Sequence, residues 1–300
     1  MRRPTPVLTT VVAAALVALT ACAPTDEVAA PAAASTASSD IASAIATCDK
    51  ASLKTLAAGK LTVGTDKPAY GPWFVDDEPS NGKGFESAVA YAVAEELGFA
   101  KTDVTWAVVS FNQAIAPGPK TFDVDINQVS ITDARKKTVD FSTGYYDVAQ
   151  SVVTTAGSKA AGVTTLAGLK SLKLGAQVGT TSYAAAETSI APTQQVAPYN
   201  SNDDAKAALA NGQIDALLVD LPTGLYLSAV GAKDGGIDEG KLIGQLPGTG
   251  TPEQFGMVLD KGSSLTSCVG TAVDALRADG TLAALEKTWL TDAAGAPSLK

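Results

Sequence analysis

The 300-residue sequence contains no histidine, three cysteines and two methionines. The absence of histidine excludes a Ser-His-Asp or Cys-His catalytic nucleophile. With so few soft ligands, the composition also argues against zinc, haem and iron–sulfur sites. We therefore expect neither a metal ion nor a cofactor.

Basic residues are in short supply as well. Lys and Arg total 22 against 31 Asp and Glu, which gives a formal charge of -9 at pH 7 and a pI near 4.6. A protein of this charge is repelled by phosphate groups. We therefore expect no nucleic acid and no anionic lipid surface among its partners.

The apolar run over residues 7–19 is shorter than the roughly 20 residues that a membrane-spanning helix requires. Because Arg2 and Arg3 precede it, the run predicts a signal peptide over residues 1–21. Residues 23–47 consist almost entirely of Ala, Ser, Thr and Pro, a composition that cannot form a core. They predict a flexible linker ahead of a globular part.

The globular part alternates strand-like and helix-like segments. Phe85, Val89 and Leu97 belong to an apolar set at helical spacing, and Gly98 follows as a stop signal. This alternation predicts an α/β fold with mostly parallel sheets. Similar strand starts at Lys60 and Lys173 predict two lobes. The strand-like runs are residues 61–65, 104–109, 124–126, 172–178 and 214–219.

Residues 127–142 have the features of a carboxylate-binding segment. Residues 129–131 end an extended run, Thr132 can cap a short helix, and Arg135 lies one turn inside it. The helix amides, the hydroxyls of Ser130 and Thr132, and the guanidinium can converge on one anion. The alternative is a capped turn followed by a solvated basic helix face.

Two further segments place polar residues where predicted strands end. Thr180 and Thr181 lie where a strand passes into a helix. Free amides at that helix start can attract an anion, or the residues can simply cap the loop. Asp220 directly follows an apolar strand, where cleft residues of an α/β sheet occur. Its carboxylate can face the cleft or cap the next helix.

Five ordered stretches resemble the extracellular solute-binding proteins of polar amino-acid ABC transporters. One is Ser-Ile-Thr-Asp-Ala-Arg-Lys-Lys-Thr-Val-Asp-Phe-Ser at 130–142 with Gly-Tyr-Tyr at 144–146. The others are residues 60–66, 84–98, 174–182 and 280–290. The resemblance implies a two-lobed type II periplasmic-binding-protein-like fold, in which the chain crosses between the lobes near residues 151–156 and 249–254. It implies lobe one over 48–152, lobe two over 157–248, a return to lobe one over 255–290 and a C-terminal tail over 291–300.

The same resemblance implies ligand-binding residues. It assigns Arg135 and Asp220 to the ligand's carboxylate and ammonium groups, and it adds aromatic and polar residues around them. An aromatic residue can equally serve the core. The remaining candidates are Asp66, Tyr70, Phe111, Gln128, Ser130, Thr132, Thr180 and Thr181.

The three cysteines lead to two further predictions. Leu-Thr-Ala-Cys at 19–22 resembles a bacterial lipobox, which implies lipid on Cys22 and an anchor on the outer face of the cytoplasmic membrane; ordinary signal cleavage is the alternative. An even pair then remains, and an exported compartment permits a disulfide between Cys48 and Cys268. Two buried free thiols are the alternative.

The resemblance implies a monomeric binding protein, not an enzyme, that captures a polar L-amino acid and delivers it to an ABC permease. Asp66 and nearby amides favour glutamine or a basic side chain over glutamate. The alternatives are an exported cyclohexadienyl or arogenate dehydratase, for which Glu86 is the one suggestive residue, and a receptor's sensor domain.

Overall fold

The computed structural model describes residues 40–248, 250–290 and 296–300. Cys22, the predicted signal peptide and most of the predicted linker lie outside these residues. Across the described ranges, no helix is both long and apolar enough to cross a bilayer. Residues 40–45 are helical (α1), and Ile45 packs against the lobe-one core. The predicted linker therefore includes a few residues that belong to the globular part.

Ten strands and eight further helices follow α1 in the described residues. The strands are β1 (Leu61–Thr65), β2 (Val104–Val108), β3 (Val124–Asp125), β4 (Val139–Val148), β5 (Gln150–Thr155), β6 (Leu174–Gln177), β7 (Ala197–Tyr199), β8 (Ala216–Asp220), β9 (Gly240–Gln245) and β10 (Glu253–Asp260). The helices are α2 (Phe85–Glu96), α3 (Phe111–Ile115), α4 (Leu166–Leu169), α5 (Thr181–Ala185), α6 (Asn202–Ala210), α7 (Leu221–Ala229), α8 (Thr266–Ala278) and α9 (Thr281–Trp289).

The strands form two five-stranded sheets, one in each lobe. The lobe-one sheet has the order β2-β1-β3-β10-β4, and the lobe-two sheet has the order β7-β6-β8-β5-β9. In each sheet the first three strands of this order pair in parallel. The fourth strand, β10 in lobe one and β5 in lobe two, pairs antiparallel with the strand on either side of it. The predicted α/β class and two-lobed architecture are confirmed. The sheets are mixed rather than mostly parallel, because two of the four strand pairings in each lobe are antiparallel.

Helix α2 shows how the sequence pattern becomes packing. Phe85, Val89 and Val93 are fully buried against the lobe-one sheet, as their spacing predicts. The helix gives way at Leu97, and Gly98 adopts a positive φ of 78°. That left-handed conformation is a frequent helix stop because glycine has no Cβ.

The first crossing lies earlier than predicted. Strand β4 ends at Val148 in lobe one, and β5 begins at Gln150, which pairs with Asp220 of lobe two. Only Ala149 separates the two strands, so the lobe-one boundary at residue 152 is wrong. The sequence conceals this crossing because β4 and β5 form one extended run without a turn residue between them.

Residues 296–300, within the predicted C-terminal tail, pack on lobe two. Helix α9 packs on lobe one, yet Ser298 bridges Gln245 at the edge of β9, and Leu299 is buried in the lobe-two core. Backbone bonds from the Gln245 N–H to the Pro297 carbonyl and from the Leu299 N–H to the Gln245 carbonyl complete the pairing. The chain thus passes between the lobes a third time.

A disulfide joins Cys48 to Cys268, with 5.5 Å between the Cα atoms and 220 residues between them in sequence. It links the segment before β1 to helix α8 within lobe one. The predicted pairing is confirmed. Because the bridge closes so long a loop, it restricts the unfolded chain strongly.

Candidate functional site

A cavity of about 210 Å³ lies between the two lobes. Nine of the ten predicted ligand-binding residues line it, and Thr132 does not. The nine are Asp66, Tyr70, Phe111, Gln128, Ser130, Arg135, Thr180, Thr181 and Asp220. Further lining residues that the sequence did not suggest include Thr65, Gln177, Asn200, Asn202 and Asp203.

Arg135 forms the positive end of the cavity. Its side chain is buried, Nη1 donates to the Ser130 carbonyl at 2.6 Å, and Nη2 donates to the Gly179 carbonyl at 2.9 Å. The guanidinium also lies over the Phe111 ring, 5.2 Å from its centroid. Burial lowers the pKa of Arg135. An arginine side chain nevertheless keeps its positive charge in proteins. One guanidinium therefore contacts both lobes.

The segment around Thr132 is shorter than expected. A single 3₁₀ turn, Arg135–Lys137, replaces the predicted helix. The Thr132 hydroxyl accepts a hydrogen bond from the Arg135 N–H at 3.2 Å. This contact fixes the Arg135 backbone, whereas Ala134 is the residue directly before the 3₁₀ turn, and Thr132 forms no part of the cavity wall. Such a short turn has few free amides, so the anion end depends on the guanidinium.

Lobe two meets Arg135 through the start of helix α5. The Thr180 hydroxyl accepts from the Tyr183 N–H at 3.1 Å and donates to the Gln177 carbonyl at 2.7 Å, so it acts as the helix cap. The Thr181 hydroxyl lies 3.2 Å from the Ser130 hydroxyl across the cleft. The two threonines therefore have different roles: one orders the helix start, and the other contacts the opposite lobe.

Asp220 forms the negative end. It is the last residue of β8, and its side chain does not cap α7, although it precedes that helix. Part of its surface faces the cavity. Burial between the lobes and the nearby carboxylate of Glu253 raise its pKa to about 7, while bonding to Gln150 and the charge of Arg135 act in the opposite direction.

Gln150 holds Asp220, although no motif in the sequence pointed to this glutamine. Its Nε2 lies 2.8 Å from Asp220 Oδ1, 3.0 Å from Glu253 Oε2 and 3.2 Å from Thr181 Oγ1. Its Oε1 accepts from the Ser182 hydroxyl at 2.5 Å. The one available signal is a polar residue at the start of an otherwise apolar buried strand.

Two aromatic residues cover the cavity from lobe one. The Tyr70 hydroxyl accepts from Asn202 Nδ2 at 2.9 Å, which links it to helix α6 in lobe two. Burial raises the pKa of Tyr70, so its hydroxyl stays protonated. Phe111 is buried in a lobe-one cluster and also faces the cavity, so it serves both the core and the candidate site.

Asp66 follows β1 at the cavity wall. Its carboxylate accepts from the Lys67 N–H at 2.7 Å and from the Phe111 N–H at 3.2 Å. Lys67 also lines the cavity, but its ammonium lies 3.2 Å from the Asp77 carboxylate. Asp66 therefore keeps its negative charge at this wall without a cationic side chain bound to it.

Glu86 does not line the cavity; it lies in the lobe-one interior with no exposed surface. It accepts from the Gln128 N–H at 2.7 Å and forms short hydrogen bonds with Gln128 Nε2 and the Tyr145 hydroxyl. Gln128 has a positive φ of 48°, which is uncommon for a residue with a side chain. Glu86 thus holds a strained cavity residue in place. Burial raises its pKa to about 7.

The lobes are closed on each other. Besides the contacts of Arg135 and Thr181, Trp73 Nε1 in lobe one donates to the Thr223 hydroxyl in lobe two at 2.9 Å. Both groups are buried. These polar bonds are lost if the lobes separate, so this geometry represents the closed form.

Comparison with known proteins gives a consistent result. The family model for bacterial extracellular solute-binding proteins, family 3, matches residues 61–292. The L-arginine-binding protein of Pseudomonas aeruginosa is 31% identical over 242 residues, which are 76% of this chain and 87% of that protein. The ABC transporter glutamine-binding protein GlnH of Bacillus subtilis is 30% identical over 220 residues, covering 71% and 76%.

The fold comparison agrees. A solved structure of an ancestral arginine-binding protein bound to glutamine superposes with a TM-score of 0.64 at 28% identity, covering 77% of this chain and 97% of that one. The two-lobed arrangement is that of the type II periplasmic binding proteins. By the match to most of its length, the chain belongs to the bacterial extracellular solute-binding proteins, family 3.

Proposed function

We propose that the protein captures a polar L-amino acid in the cleft between its lobes and delivers it to the permease of an ABC importer. The observation that supports this proposal most directly is that Arg135 and Asp220 line one cavity between the lobes and act electrostatically on each other. An α-carboxylate and an α-ammonium group match those two charges. A micromolar dissociation constant requires about 8 kcal/mol, which such a buried pairing can supply.

Closure follows from the contacts. Arg135 bonds to both lobes, and Thr181 of lobe two reaches Ser130 of lobe one. A ligand that binds these groups together interacts more strongly with the closed form, so it shifts the population toward closure. The permease then receives a closed, loaded protein.

For the side chain, glutamine or a basic amino acid is favoured. The wall near Asp66 offers one carboxylate and several amides, while the ammonium of Lys67 is bonded to Asp77. Donating side chains find acceptors there, whereas glutamate meets a like charge. The relatives named for arginine and glutamine binding support the same range.

The enzyme alternative has less support. A dehydratase needs a positioned acid besides the ammonium-binding carboxylate. Glu86 was the candidate, and its carboxylate is bonded to Gln128 and Tyr145 away from the cavity. We therefore propose a binding protein without catalytic activity, and incubation with arogenate or prephenate should yield no product.

We further propose that the protein is a monomer tethered through lipid on Cys22 outside the cytoplasmic membrane. In the expressing bacterium, Cys22→Ala should incorporate no labelled fatty acid and should leave the membrane fraction. Continued labelling of that variant would refute the anchor without affecting the binding proposal.

The binding proposal is tested with the domain from residue 40 onward, freed of carried-over ligand by unfolding and refolding. Thermal shift against all common amino acids, followed by calorimetry, should identify at least one stabilising ligand, because binding to the folded state raises its stability. Asp220→Asn is the matched control and should lose the shift. If no amino acid stabilises the wild-type protein, the proposed function is wrong.

A further inference from the structure

Two carboxylates face the same amide group at the negative end of the cavity. Gln150 Nε2 carries two hydrogens, but three acceptors lie within 3.2 Å of it: Asp220, Glu253 and Thr181. The Ser182 hydroxyl fixes the other end of the Gln150 amide by donating to Oε1. Gln150 therefore cannot rotate to satisfy one carboxylate without losing a bond to the other.

This group of residues sits where the chain crosses between lobes. Gln150 is the first residue of β5, directly after Ala149, and Glu253 is the first residue of β10, directly after the return crossing. Asp220 belongs to lobe two and Glu253 to the strand that completes lobe one. Opening of the cleft moves Asp220 away from Glu253, because the two residues belong to different lobes.

The charges around these carboxylates do not balance. Within the described ranges, no ion pair includes Asp220 or Glu253. Glu253 Oε1 is buried without a hydrogen-bond partner. Arg135 is the cation that acts on Asp220, and Glu86 adds negative charge. The tyrosines whose pKa the charge of Asp220 raises are Tyr70, Tyr145 and Tyr146.

We propose that Glu253 is a positioning residue of the ammonium site: through Gln150 it orients the Asp220 carboxylate, and its charge adds to the attraction for the ligand's cation. This inference rests on the proposed function. An arriving ammonium group displaces the proton that Asp220 holds near neutral pH, and that proton leaves to solvent. The ligand's positive charge then offsets the repulsion between the two carboxylates, which lie on different lobes.

The test uses Glu253→Gln, because a glutamine can still accept from Gln150 while the charge is removed. Glu253→Asp keeps the charge, and Glu95→Gln on the exposed face of α2 is the matched control for net charge. Calorimetry with L-glutamine and with L-arginine from about pH 6 to about pH 8 gives the affinities. In parallel, ¹³C NMR follows the Asp220 carboxyl group in the ligand-free proteins.

We expect Glu253→Gln to bind roughly five- to twentyfold more weakly near pH 8, where the Asp220 carboxyl group of the wild type is mostly ionised. Toward pH 6 the ratio of the two dissociation constants should approach one. There the wild type must release a proton from Asp220 when it binds the ligand, whereas Asp220 of the variant has a lower pKa and is protonated in fewer molecules. Glu95→Gln should follow the wild-type pH profile. Glu253→Asp should keep the wild-type dependence on pH at a lower affinity, because it retains the charge but its shorter side chain reaches Gln150 less well.

Equal affinity and an equal pH profile in Glu253→Gln would overturn the inference. So would a loss of affinity that is constant with pH while the Asp220 pKa stays unchanged, since that result describes a purely structural role. If the wild type binds neither amino acid, the NMR titration decides alone: a lower Asp220 pKa in Glu253→Gln supports the coupling, and an unchanged one refutes it.

Discussion

Glu86 should make the ligand-free protein more stable as the pH falls from neutral toward 5. Its pKa rises from 4.5 to about 7 on folding because the carboxyl group is buried. Between those two values the folded state holds more protons than the unfolded state, so the free energy of unfolding decreases as pH rises. At about 1.4 kcal/mol per pH unit, the full effect is about 3 kcal/mol.

Roughly 2 kcal/mol of that effect falls between about pH 5 and about pH 7.5. Urea unfolding of wild type and Glu86→Gln at both pH values measures it. Tryptophan fluorescence is a suitable signal, because Trp73, Trp106 and Trp289 all lie in lobe one with Glu86. The stability gained on acidification should be smaller in the variant by about that amount. Glu86 is also one of the groups that raise the pKa of Asp220, so the variant reduces the Asp220 contribution as well, which changes the gain in the same direction. Identical gains in the two proteins would refute the reasoning, and Glu95→Gln serves as the charge control.

Three further outcomes are expected. Arg135→Ala and Asp220→Ala should each weaken amino-acid binding by about 2 to 5 kcal/mol in calorimetry, because each leaves a buried ligand charge unpaired; normal binding by a folded variant would remove that residue from the site. Replacing both Cys48 and Cys268 by serine should lower the free energy of unfolding by up to about 5 kcal/mol, measured by urea unfolding under non-reducing conditions. Trp73→Phe should weaken ligand binding by about 1 kcal/mol through loss of one bond between the lobes, and an unchanged affinity would show that this bond does not favour closure.

Much of the fold could be predicted from the sequence, because the local patterns of apolar residues match the strands and helices that form. Strand β1 and helix α2 appear almost at their predicted bounds, since an apolar run of five residues and a helical set ending before Gly98 are unambiguous patterns. The crossing at Ala149 was misplaced because a strand that changes lobes without a turn leaves no signal in composition. The C-terminal pairing with β9 depends on contacts distant in sequence, which periodicity cannot reveal.

The candidate site shows the same division. Arg135 and Asp220 could be predicted because charged residues at the ends of apolar runs are conspicuous. Thr132 was misjudged, since whether a hydroxyl caps a turn or faces a cavity depends on a backbone direction that sequence does not give. Gln150 and Glu253 were missed because their importance lies in a shared contact between two crossings, and neither residue is unusual on its own.

The third passage of the chain between the lobes gives a way to observe the protein at work. Ile45 packs on lobe one, whereas Leu299 is buried in lobe two. Fluorophores attached at Asp40 and at Lys300 would therefore move with different lobes, and the distance between them would report opening and closing directly. A single-molecule transfer measurement on such a labelled protein needs no knowledge of the ligand beforehand, so it can screen mixtures for whatever compound closes the cleft.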